Sequence, residues 1–89
     1  MQTKTITIIN KLGLHARAAA SLVQTVSGFE CETNISYNGK KVNGKSIMGV
    51  MMLAAAKGAV IEVSTAGPDE QEAMAKIEAL IQDKFGEDE

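Results

Sequence analysis

The chain has 89 residues, nine of them basic and eleven acidic, for a net charge of −2. That length fits one small domain spanning 1–89, and 45% hydrophobic with 22% charged residues is the composition of a globular chain, not a disordered one. The missing basic excess argues against a nucleic-acid binder, which draws most of its affinity from neutralising phosphates, and no apolar run approaches the ~18 residues of a membrane span.

Thr5-Ile6-Thr7-Ile8 alternates polar and apolar β-branched residues, the pattern of a half-buried strand. Asn10 to Leu14 reads as a loop. From Ala16 to about Ser27, Ala19, Leu22, Val23 and Val26 fall on one helical stripe, with Gly28 expected just past the C-cap. Glu32 to Tyr37 puts Thr33, Ile35 and Tyr37 on one strand face. Asn38-Gly39 supplies a tight hairpin turn, and Lys40 to Asn43 returns as a short strand whose Lys40-Lys41 suits a solvated edge. After a turn at Gly44-Lys45, Ser46 is placed to cap a helix from Ile47 to about Ala56, stopped by Gly58. Val60 to Thr65 is the last strand. Gly67-Pro68 breaks the chain, and Asp69 with Glu72 has the spacing of a capping box. Ala73, Ile77, Leu80, Ile81 and Lys84 share a face of the final helix, and Gly86 to Glu89 reads as a frayed acidic tail. The order β-α-β-β-α-β-α predicts an α+β fold with helices layered on one sheet face.

Cys31 is the only cysteine, which rules out an internal disulfide and suits a reducing compartment. It reads as a small buried hydrophobe. Met1 to Thr5 lacks the apolar core of a secretory signal, so a cytoplasmic location is expected.

His15, the only histidine, falls where a loop becomes a helix, in Gly13-Leu14-His15-Ala16-Arg17. The first N–H groups of a helix lack intrahelical partners and carry partial positive charge, which favours an anion. Imidazole is a nucleophile near neutral pH, and the Arg17 fork matches phosphoryl oxygens. A metal or cofactor is not expected, since one His and one Cys fall short of a closed zinc set. Ser46 reads first as an N-cap; phosphorylated, it would place added negative charge at a helix start. Met48, Met51 and Met52 share one helical side, where methionine suits either a core gap or an adaptable contact surface.

Three segments together resemble the HPr family, the phosphocarriers of the bacterial phosphoenolpyruvate-dependent phosphotransferase system. They are Gly13-Leu14-His15-Ala16-Arg17, Lys45-Ser46-Ile47-Met48-Gly49-Val50-Met51 and Ala66-Gly67-Pro68-Asp69-Glu70. The resemblance implies an open-faced β-sandwich, a four-stranded antiparallel sheet with three helices on one face. It implies that His15 carries the phosphoryl group on Nδ1, steadied by Arg17. The chain would then be a carrier with a covalent phosphohistidine, not a free-standing catalyst. Enzyme I would be the donor and an enzyme IIA domain the acceptor. Ser46 would be the target of an ATP-dependent serine kinase and phosphorylase, and Ile47, Met48 and Met51 the docking patch of a monomer. Ala18 stands where many members have proline, which affects only the stiffness of the helix start. Two other roles fit the same residues, a carrier of a nitrogen-related branch and a binding module acting through Ser46. A ferredoxin-like fold shares the element string.

Overall fold

The structure, a computed structural model, describes residues 1–88. Strand β1 (Gln2–Thr7) is followed by helix α1 (Ala16–Ser27), then by β2 (Glu32–Tyr37) and β3 (Lys40–Asn43). Helix α2 (Ile47–Met52), β4 (Val60–Ala66) and α3 (Glu70–Gln82) complete the order, followed by a short turn at Lys84–Gly86. The four strands form one antiparallel sheet in the order β1-β4-β2-β3. This is the open-faced sandwich that the resemblance implies.

Period-two alternation divides the sheet into a covered and an open face. Ile6 lies opposite Ile61, Ile35 opposite Val63 and Thr33 opposite Thr65, all buried beneath the helices. Thr5, Thr7, Glu32 and Glu62 are exposed on the other side. The α1 stripe is buried as the sequence predicts, with Ala18, Ala19, Leu22, Val23 and Val26 inside, and it meets Ile77 and Ile81 of α3 in one core cluster. Each fully buried Ile, Leu or Val contributes about 1.5–3 kcal/mol of transfer free energy, against the chain entropy lost on folding. Lys4 ties the β1 edge to α3 through an ion pair with Glu78 at 3.2 Å, and the exposed Lys40 and Lys41 lie on the edge strand β3. Cys31 is buried, which pushes its thiol pKa up. Asn38 and Gly39 form the expected turn with φ of 52° and 83°.

Several elements depart from the sequence reading. Helix α2 ends at Met52, well short of Ala56. Ala54 takes a left-handed φ of 54°, which releases Ala55 to accept the Leu14 N–H at 2.9 Å. A packing contact with the loop before α1 thus replaces the next helical turn. Gly28 is itself the C-cap of α1, at an ordinary φ of −77°. The Asp69–Glu72 capping box does not form, for the Asp69 side chain makes no cap hydrogen bond. Its carboxylate instead accepts the N–H groups of Glu30 (2.8 Å) and Cys31 (2.9 Å), pinning the α1–β2 connection. Glu70 accepts the Gly67 N–H. Lys84 lies beyond α3 at φ 55°, so it does not extend the helical face, whereas Met74 is buried on it.

The tail is the largest correction. Lys84, Phe85 and Gly86 all have positive φ, from 55° to 79°. They turn the chain back, bury Phe85 in the core and carry Glu87 to the start of α1. Gly86 to Asp88 are therefore part of the fold and not a frayed end; Glu89 lies outside the described residues.

Candidate functional site

His15 is the N-cap of α1, with extended backbone (φ −74°, ψ 178°), and its own side chain makes no cap hydrogen bond. The first intrahelical bond runs from the Ala19 N–H to the His15 carbonyl at 2.8 Å. The N–H groups of Ala16, Arg17 and Ala18 precede it, so this terminus keeps the donors and partial positive charge that attract an anion.

The approach to His15 is fixed by backbone contacts. Gly13 has φ +67°, and a Cβ there would stand 2.4 Å from the Ala55 carbonyl oxygen. Only glycine lets the loop lie this close to the segment after α2. The Leu14 N–H then bonds that same carbonyl, and His15 emerges half-buried, its side chain 27% exposed.

Nε2 of His15 lies 2.5 Å from Glu87 Oε2. Hydrogen bonds from His15 and then from Asn10 hold the Glu87 carboxyl below its ordinary value, with Arg17 adding a smaller charge effect. An ionised carboxylate has no proton to give, so the hydrogen in this contact sits on Nε2. Asn10 is fully buried, and its Nδ2 donates to the Gly13 carbonyl (2.9 Å) and to Glu87 Oε1 (3.1 Å). Both partners are oxygens, which fixes the orientation of the amide. His15 and Glu87 line an open cleft of about 440 Å³ with Lys11, Leu12, Arg17 and Asp88. Among the described residues no cluster of His, Cys, Asp or Glu could hold a metal ion, and no helix is long and apolar enough to cross a membrane.

Arg17 is exposed and shares the cleft with His15. Ser46 is the N-cap of α2, its Oγ accepting the Gly49 N–H at 3.0 Å. Ile47, Met48, Met51 and Met52 are all exposed, Met48 by 70% and Met52 by 66%, whereas Val50 faces the core. The methionine side of α2 is thus open surface. Sequence reasoning missed Asn10 and Glu87. Glu87 is 72 residues from His15, and nothing local marks it apart from its acidic neighbours.

Fold and site together define a class: a small open-faced sandwich that offers one histidine at the start of its first helix. A model of the family described as "PTS HPr component phosphorylation site" matches residues 2–83. The phosphocarrier protein HPr of Neisseria meningitidis serogroup B is 57% identical over 89 residues, the whole of both chains. The crystal structure of HPr-C-His from Thermoanaerobacter tengcongensis is 48% identical, with a TM-score of 0.96 over the whole of both chains. A structure described as an HPr dimer from the same organism is 49% identical, covering 98% of this chain and 100% of that one, with a TM-score of 0.79. The chain belongs to the HPr family, the phosphocarriers of the phosphotransferase system.

Proposed function

We propose that His15 accepts a phosphoryl group from enzyme I on Nδ1 and passes it to enzyme IIA domains. One observation carries this reading: Nε2 is already engaged by Glu87, which leaves Nδ1 as the nucleophilic nitrogen at a helix start that the His15 side chain does not cap. Arg17 lies beside it in the same cleft and supplies a charge-assisted contact to the phosphoryl oxygens. An open cleft suits a relay, because the group must remain accessible to the next protein.

Ile47, Met48 and Met51 form the docking patch, an exposed apolar surface on α2. Helix α2 packs against α1, and the Leu14–Ala55 bond ties the His15 loop to the segment just after it. A carrier must leave one partner to reach the next, so a small interface with an apolar centre fits its work. Ser46, at the head of the same helix, is the regulatory site of an ATP-dependent kinase and phosphorylase, and the carrier acts as a monomer in the cytoplasm.

Incubation with enzyme I and phosphoenolpyruvate tests the reading. The wild type takes up acid-labile phosphate, His15→Ala takes up none, and Arg17→Ala keeps its melting temperature but is phosphorylated roughly tenfold more slowly, the scale of one charged hydrogen bond. Uptake by His15→Ala would overturn the assignment.

A further inference from the structure

We infer that Glu87 is a positioning residue for phosphoryl transfer, holding the hydrogen of His15 on Nε2 so that Nδ1 presents its lone pair. The inference rests on the reading that His15 is the acceptor. It stands on the chain of contacts from the buried Asn10 amide to Glu87 Oε1, and from Glu87 Oε2 to His15 Nε2.

Each link is held from behind. Asn10 is fixed by its second bond, to the Gly13 carbonyl. Glu87 is delivered by the three left-handed residues before it and by the buried Phe85. A carboxylate braced in this way accepts from one ring nitrogen and selects one tautomer of the neutral imidazole. A histidine partnered by carboxylate in this manner is both oriented and stabilised as its ring gains positive charge.

The transfer step then balances simply. The Nδ1 lone pair forms the new N–P bond, and the bond from phosphorus to the donor's leaving atom breaks, its electron pair staying with the donor. The Nε2 hydrogen does not move. The positive charge that builds on the ring during attack faces the Glu87 carboxylate, and it disappears when the phosphoryl group departs to the next acceptor.

The test compares the full chain with Glu87→Ala and Glu87→Gln. In ¹⁵N-labelled protein at a pH of about 9, where imidazole is neutral, wild-type His15 shows the Nε2–H tautomer alone. Glu87→Ala shows a mixture. Glu87→Gln has one amide oxygen for two donors, Asn10 Nδ2 and the His15 ring, so it fixes the tautomer only in part and lies between the two. With enzyme I and phosphoenolpyruvate, Glu87→Ala lowers kcat about tenfold, the scale of one hydrogen bond to a charged group, with KM little changed, and Glu87→Gln recovers part of the loss.

An unchanged tautomer in Glu87→Ala overturns the inference even if the rate falls, since the carboxylate would then act on docking. An unchanged kcat overturns it as well. His15→Ala in the same assay separates this failure from failure of the acceptor assignment. If His15→Ala is inert while Glu87→Ala behaves as wild type, only the role of Glu87 is lost.

Discussion

At Ser46 the structural role is the cap, and the proposed regulatory role rests on the same side chain. Its Oγ accepts the Gly49 N–H, a cap contributing about 1 kcal/mol, and the residues that follow it on α2 are the exposed Ile47 and Met48. A carboxylate or phosphate here remains an acceptor at a helix start, so the fold is kept. What changes is the charge at the head of an apolar surface, which partners with acidic surroundings must then desolvate or repel. Ser46→Asp should therefore melt within a degree or two of the wild type while raising KM for phosphorylation by enzyme I several-fold. An unchanged KM would remove Ser46 from the docking surface.

At the scale of elements, the placement of His15 depends on loops more than on helices. The chain leaves β1 through Ile8, whose N–H bonds the Ala59 carbonyl at 2.8 Å and whose carbonyl takes the Gly58 N–H at 2.7 Å. It then passes Gly13 against Ala55 and enters α1. A methyl group at Gly13 meets backbone at 2.4 and 2.7 Å, whereas one at Gly39 meets nothing within 4 Å. Both have positive φ, so the pair separates torsional strain from close contact. Gly39→Ala should cost about 1 kcal/mol, the left-handed penalty alone, and Gly13→Ala about 3 kcal/mol once overpacking is added. Urea unfolding of both variants measures the difference, and equal losses would show that the Gly13 contact is easily relieved.

The same scale separates what was legible in the sequence from what was not. Strand alternation, the α1 stripe and the Asn38-Gly39 turn are local patterns, and they place the sheet, the first helix and His15. The family resemblance supplied the architecture around them. The end of α2 was not legible because the Leu14–Ala55 bond, not helix propensity, decides where it stops. Asp69 has the right spacing for a local cap, yet it serves two N–H groups nearly forty residues away. Glu87 looked like solvent-facing tail because its partner is given by tertiary structure alone. These three misses share a cause: a polar group takes a long-range partner that no local pattern reveals.

For the whole molecule, these long-range carboxylates link stability to pH. Asp69 is held below its ordinary value first by the Glu30 N–H, and Glu87 first by His15. A carboxylate with a depressed folded-state pKa stabilises the fold above its unfolded-state value, and that stability is lost as pH falls through the folded value. The melting temperature should thus hold steady down to about pH 5 and drop below pH 4, near the usual carboxylate range. Asp69→Asn should melt below the wild type at pH 7, with the gap closing on acidification. A gap independent of pH would show that the Asp69 charge does not matter.

The sheet pairs its first strand with its last, so β1 meets β4 across some sixty residues of chain. Non-local closure of this kind is slow compared with helix or hairpin formation. Asn10, His15 and Glu87 sit on both sides of that closure. A nascent chain that has made only its middle hairpin holds His15 but has not yet brought Glu87 to it.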